Sequence, residues 1–182
     1  MNYIFLDRDG TLNHDNGYVH KAEDLFFIDG VKEFLSNYKN KFNFIIITNQ
    51  AGIAKKKFTL QDMQNFNMTL VSKLKELDIK IEAIYYCPHH VEGLVAKYSI
   101  SCNCRKPLPG LLEKAASEFD ITKSESLIIG DKFTDILAGY NFGLTKGFLI
   151  SDDKNELDKL EKLNCDTGLK FSSVDSIKNI KI

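Results

Sequence analysis

Five short runs made almost wholly of apolar residues punctuate the chain: Ile4 to Leu6, Phe44 to Ile47, Ile84 to Tyr86, Leu127 to Ile129 and Gly147 to Ile150. A strand that is apolar on both faces must be covered on both faces, which is the condition of a parallel sheet and not of a half-solvated antiparallel one. The segments between them, Val31 to Tyr38, Leu60 to Leu77, Leu111 to Phe119 and Phe133 to Tyr140, place apolar residues three and four apart, as amphipathic helices do. Strands and helices in alternation predict an α/β fold, a doubly wound (Rossmann-like) parallel sheet with helices on both faces and right-handed crossovers. Thr59, three residues ahead of Asp62, marks one helix start, and Asp131, at a strand end, is a candidate for another. From Asp152 to Ile182 the pattern weakens, and a helix, a short edge strand at Gly168 to Phe171 and a final helix are expected. At 182 residues one domain, 1–182, accommodates all of this, with no internal repeat or low-complexity linker.

Charge narrows the range of partners. Twenty-four basic and twenty-five acidic residues leave a net charge of -1, so no global field draws the molecule to nucleic acid or an anionic membrane. A bound anion has to be held by local groups, and a small soluble substrate and a monomer are expected. The apolar stretch at Tyr3 to Leu6 is too short for a signal-peptide core, and no run approaches the ~18 apolar residues of a membrane span. The expected location is the cytoplasm, where clustered cysteines bind metal more often than they pair.

In an open parallel sheet, ligands sit beyond the carboxyl ends of the strands. Asp7-Arg8-Asp9-Gly10-Thr11 follows the first run, Thr48-Asn49-Gln50 the second, and Gly130-Asp131-Lys132 with Asp135 the fourth, while Arg105-Lys106-Pro107 precedes a helix. Taken singly these have ordinary readings: turn residues, a helix cap, a solvated lysine. Together they meet the needs of phosphate-monoester hydrolysis. Asp7 is placed to attack phosphorus and form an aspartyl-phosphate. Asp9, two residues on, can protonate the leaving alkoxide and then activate water. Asp7, the backbone carbonyl of Asp9 and Asp131 make the oxygen-rich set that magnesium prefers. Thr48 and Lys106 would hold the transferring phosphoryl oxygens. Asp135 either joins the metal or orients Lys106 or Lys132.

A second cluster is independent of the first. Cys87-x-His89 and Cys102-x-Cys104 supply three thiols and an imidazole, a tetrahedral zinc set closing a loop at 87–104 that has little core-forming pattern. His90 could stand in for His89. With four protein ligands such a zinc is structural, and it would fix Arg105 and Lys106 beside the cleft. Cys165 lies apart and reads as a small apolar residue.

In order and spacing, Asp7-x-Asp9-Gly10-Thr11, Thr48, Lys106 and Gly130-Asp131-x-x-x-Asp135 resemble the four motifs of the haloacid-dehalogenase-like phosphatases, from Ile4 to about Gly143. Within them, Tyr85-Tyr86-Cys87-Pro88-His89-His90 and Cys102-x-Cys104-Arg105-Lys106-Pro107 are similar to segments of the D-glycero-D-manno-heptose 1,7-bisphosphate 7-phosphatases. The resemblance favours His89 as the zinc ligand and implies a minimal cap and removal of a sugar 7-phosphate, a step toward nucleotide-activated (ADP/GDP) heptose for lipopolysaccharide. It also implies substrate contacts from Asp15, Asn16, Gly17, Tyr18, Thr48, Asn49, Gln50, Ala51, Arg105 and Lys106, and Lys132 is a further candidate. Two departures bear on the substrate: Ala51 stands where that family usually has Ser, and Lys55 where it usually has Arg. The nearest rival is histidinol-phosphate phosphatase, against which Asp15 to Tyr18 argues. An idle zinc-stabilised binding module would have no use for both Asp7 and Asp9, and a zinc hydrolase would need an open zinc position.

Overall fold

A computed structural model describes residues 1–182. Six parallel strands form one sheet: β1 (Tyr3–Leu6), β2 (Asn43–Asn49), β3 (Ile81–Cys87), β4 (Leu127–Gly130), β5 (Gly147–Ile150) and β6 (Ser172–Val174), in the order β3-β2-β1-β4-β5-β6. The chain winds outward from β1 through β2 to β3, then returns to lay β4 against the other side of β1. That reversal leaves a crevice at the carboxyl ends of β1 and β4, where such sheets bind ligands.

The helices are α1 (Val31–Tyr38), α2 (Ala51–Ala54), α3 (Leu60–Lys75), α4 (Gly110–Glu118), α5 (Phe133–Phe142) and α6 (Lys154–Thr167). Side chains alternate across β1, so Ile4 and Leu6 join Val31, Phe34, Phe66 and Leu70 in one core, while Tyr3 and Phe5 join Leu112, Ala115, Ile136 and Phe142 in the other. Helices α1 and α3 therefore cover one face, and α4, α5 and α6 the other. Thr59 caps α3 in a reciprocal box: its Oγ1 accepts from Asp62 N at 3.1 Å and its own N–H donates to Asp62 Oδ2 at 2.8 Å.

Three expectations are corrected. The edge strand lies at Ser172–Val174, beyond Gly168 to Phe171, because Gly168 adopts φ +72° to end α6 and Phe171 turns into the core. The last segment is a single 3-10 turn, Ile177–Asn179, whose Ile177 plugs the core of the α1 face. Asp131 does not cap α5; Lys132 occupies that position, and its N–H donates to Asp135 Oδ2 at 3.0 Å. Helix α2 is four residues long, too short to show periodicity. No helix is long and apolar enough to cross a membrane.

Candidate active site

Strand register brings the acidic groups together. Leu6 pairs with Ile129, and Asp7 N–H donates to Ile129 O at 2.9 Å, so the residues after β1 and β4 leave the sheet side by side. Only a glycine fits at 130, since a Cβ there would lie 2.3 Å from that of Asp135. One carboxylate oxygen each from Asp7, Asp131 and Asp135 lie within 4.8 Å of one another.

Lys106 reaches into this cluster from the loop ahead of α4. Its Nζ lies 2.5 Å from Asp7 Oδ1, 2.6 Å from Asp135 Oδ1 and 2.9 Å from Ile47 O, which it donates to, and the side chain is buried. Its position is fixed twice over: Asn49 Oδ1 accepts from Lys106 N at 3.1 Å and Asn49 Nδ2 donates to Lys106 O at 3.2 Å. Asp135 has one oxygen on Lys106 and the other accepts from Lys132 N.

Three carboxylates around one buried ammonium leave surplus negative charge. Burial, opposed by Lys106 and reinforced by Asp135, Asp131 and Asp9, pushes Asp7 up to about 8. Burial and then Asp135 push Asp131 to about 6. Lys106 is held well above the usual lysine range, because its carboxylate partners outweigh the burial that would lower it. A divalent cation would relieve the imbalance. Asp131 Oδ1 is buried without a hydrogen-bond partner, and the Asp9 carbonyl accepts no backbone hydrogen bond. An oxygen set of this kind suits magnesium.

The Asp9 carboxylate accepts four hydrogen bonds. Arg8 Nε donates to Oδ1 at 2.9 Å and Arg8 Nη2 to Oδ2 at 2.7 Å; Asn13 Nδ2 adds 3.0 Å to Oδ1 and Gln50 Nε2 adds 2.8 Å to Oδ2. Gln50 Nε2 also donates to Thr48 Oγ1 at 2.8 Å, which leaves the hydroxyl proton of Thr48 for a ligand.

A cleft of about 410 Å³ opens above Asp7. Of the residues singled out from the sequence, Asp15, Gly17, Tyr18, Thr48, Asn49, Gln50, Ala51, Arg105, Lys106 and Lys132 line it, whereas Asn16 does not. The side chains of Asn49 and Gln50 are engaged with Lys106 and Asp9, and the backbone N–H of Gln50 donates to Cys87 O at 2.7 Å. Asp15 shapes its own loop, accepting from Gly17 N at 2.9 Å. Gly52, Lys55, Phe58 and Thr134 also line the cleft. Helix α2 carries Gly52 to the wall, and Phe58 stacks on His20 with ring centroids 4.9 Å apart, a contact between distant segments that no local pattern announces.

Beside the cleft, the second cluster closes as a ring. Cys87 Sγ and Cys102 Sγ are 3.5 Å apart, Cys102 Sγ and Cys104 Sγ 3.3 Å, Cys104 Sγ and His89 Nδ1 3.3 Å, and His89 Nδ1 and Cys87 Sγ 3.8 Å. Atoms on one tetrahedral zinc lie roughly 3.5–3.8 Å apart, so the donor set fits that ion. His90 points away, its Nδ1 accepting from Glu92 N at 3.2 Å. Leu94 N and Val95 N both donate to Ala54 O, at 2.7 and 3.0 Å, docking the loop on the end of α2, and Arg105 Nη1 donates to His89 O at 3.3 Å.

These features have counterparts elsewhere. A family model described as HAD-hydrolase-like matches residues 103–176. The D-glycero-beta-D-manno-heptose-1,7-bisphosphate 7-phosphatase of Yersinia pestis is 43% identical over 152 residues, covering 83% of this chain and 81% of that protein. The protein of the same name from Haemophilus influenzae is 40% identical over 152 residues, covering 83% and 82%. Among solved structures, the D,D-heptose 1,7-bisphosphate phosphatase of B. bronchiseptica, complexed with magnesium and phosphate, superposes with a TM-score of 0.80 at 23% identity, covering 98% of this chain and 94% of that one. With two such relatives spanning most of its length, and the acidic cluster, lysine and cysteine ring assembled as described, the chain belongs to the haloacid-dehalogenase-like phosphatase family that includes the heptose-1,7-bisphosphate 7-phosphatases.

Proposed function

We propose that the chain removes the 7-phosphate of D-glycero-beta-D-manno-heptose 1,7-bisphosphate, by covalent catalysis at Asp7, on the way to an activated heptose. The observation that carries the chemistry is the buried Asp7 carboxylate, held 2.5 Å from Lys106 Nζ at the floor of a polar cleft. The substrate is supported by the names of relatives at 40% identity or above.

Asp7, with Oδ1 fixed by Lys106, presents its other oxygen to phosphorus. As the Asp7–phosphorus bond forms, the bond to the sugar oxygen breaks, and Asp9 supplies the proton that the leaving alkoxide needs. Water then attacks phosphorus, Asp9 takes the water proton, and the Asp7–phosphorus bond breaks to release inorganic phosphate. Lys106 and the Thr48 hydroxyl bind the phosphoryl oxygens through both steps. Magnesium held by Asp7, Asp131 and the Asp9 carbonyl supplies charge neutralisation and substrate orientation when bound. Zinc on Cys87, His89, Cys102 and Cys104 would be structural, holding Arg105 and Lys106 at the cleft wall. Arg105, Lys132 and Lys55 lie at or near the rim, where cations can meet the rest of a bisphosphate.

Phosphate release from both anomers of heptose 1,7-bisphosphate, histidinol phosphate and common sugar phosphates, with magnesium present, tests the assignment. The beta anomer should be preferred at least tenfold in kcat/KM. Asp7→Asn should lose about 10³-fold or more of kcat while keeping the fold. Near-normal turnover by that variant would overturn covalent catalysis, and preference for histidinol phosphate would overturn the substrate.

A further inference from the structure

Arg8 is fully buried, and its guanidinium takes no part in the proposed chemistry. Besides its two bonds to Asp9, Nη1 donates to Asn67 Oδ1 at 2.8 Å, Nη2 donates to Gln50 Oε1 at 3.1 Å and to Val19 O at 3.2 Å, and the cation lies 4.5 Å from the centroid of the Phe66 ring. Phe66 and Asn67 are consecutive residues of α3, well outside the cleft, and Asn67 is itself buried. A buried cation is hard to explain by packing, because an apolar side chain of similar volume generally serves stability as well or better. Its planar fork does something an apolar residue cannot: it fixes the plane of a carboxylate through two parallel bonds.

Resting on the assignment of Asp9 as proton carrier, we propose that Arg8, itself oriented by Asn67 and Phe66, is the positioning residue for Asp9. Arg8 occupies two of the four acceptor positions of that carboxylate, which confines proton exchange to the positions that Asn13 and Gln50 otherwise fill, and helix α3 is thereby part of the catalytic apparatus at one remove. Attack by Asp7 does not depend on this arrangement, and both proton transfers do.

The two dependences separate with p-nitrophenyl phosphate. Its leaving group departs as p-nitrophenolate, carrying the electron pair of the broken P–O bond and needing no proton, so Asp7 can be phosphorylated without Asp9. Release of phosphate from Asp7 still requires a base to take the proton of the attacking water. In Arg8→Lys, which keeps the charge but loses the fork, rapid-mixing measurements should show a burst of p-nitrophenolate close to one per site, at a rate within a few-fold of the parent. A steady phase slowed about tenfold or more should follow, with acid-trapped phosphoenzyme accumulating. Toward heptose 1,7-bisphosphate, whose alkoxide must be protonated, kcat should fall about 10²-fold with KM little changed. Asn67→Leu should show the same pattern more weakly, and it decides the matter if Arg8→Lys fails to fold, as judged by circular dichroism and melting.

The proposal is overturned if a folded variant behaves as the parent does, or if burst and steady phases fall by the same factor, as a general loosening of the site would give. Failure of the underlying assignment looks different: Asp9→Asn would then turn over heptose 1,7-bisphosphate at close to the parent rate.

Discussion

Glycine 10 sits at φ +88°, and a Cβ there would lie 2.4 Å from Asp131 Oδ2. Gly10→Ala should therefore act twice, straining the backbone and displacing a carboxylate proposed to hold magnesium. The expected result is a loss of about 1–2 kcal/mol of stability and at least a tenfold rise in the magnesium concentration needed for half-maximal phosphate release. Thermal melting and a magnesium titration would measure the two effects separately. At this scale the sequence was informative wherever a polar residue directly follows an apolar strand. Asp7, Thr48 and Asp131 could be located that way, because strand ends are where a parallel sheet exposes functional groups. Arg8 could not be read, since its partners Asn67 and Phe66 are far away in sequence and only the crossover of α3 brings them close. Asn49 and Gln50 looked like ligand contacts, and only the folded backbone reveals that their side chains serve Lys106 and Asp9.

Among the elements, the loop of residues 87–104 is fastened by two devices of different kinds, the Cys3His ring and the two hydrogen bonds onto Ala54 O. Removing the metal with a strong chelator, or making Cys102→Ser, should free residues 92–101 for proteolysis and lower kcat/KM by roughly 10–100-fold, since Arg105 and Lys106 follow directly on the last ligand. Unchanged protease resistance of metal-free protein would count against a structural zinc. Helix α3 offers a simpler test: Thr59→Ala deletes its side-chain cap and should lower the melting temperature by about 2–4 °C, measured by calorimetry. The strands and long helices were visible in the sequence because both faces of the sheet are covered, so apolar runs and helical periodicity directly report burial. The last thirty residues were read less well. There Gly168, Phe171 and Ile177 act through one turn, one plug and one knob, and single residues leave no period to detect.

For the whole molecule, the acidic cluster couples stability to pH. Asp7 has an ordinary value of 3.8 and is pushed to about 8 on folding, so between those values the folded protein binds more protons than the unfolded chain. Stability of the metal-free protein should accordingly fall as pH rises across that window. Magnesium, which competes with those protons, should raise the melting temperature more at pH 8 than at pH 6. Melting curves with and without the ion at the two pH values would show this, and an equal shift at both would contradict it.

The central position of β1 also shapes how the protein is made. Residues 3–6 are synthesised ahead of the other strands, yet one edge of β1 stays unpaired until residues 127–130 emerge to flank it. At ordinary elongation rates of about 5–20 residues per second, roughly 4–16 s of synthesis separate β2 from β4, during which a short, wholly apolar strand has one edge unpaired. The nascent segment carrying β1 to β3 is thus a natural client for chaperones, and the nucleophile stays without Asp131 and Asp135 until well after Lys106 has been translated.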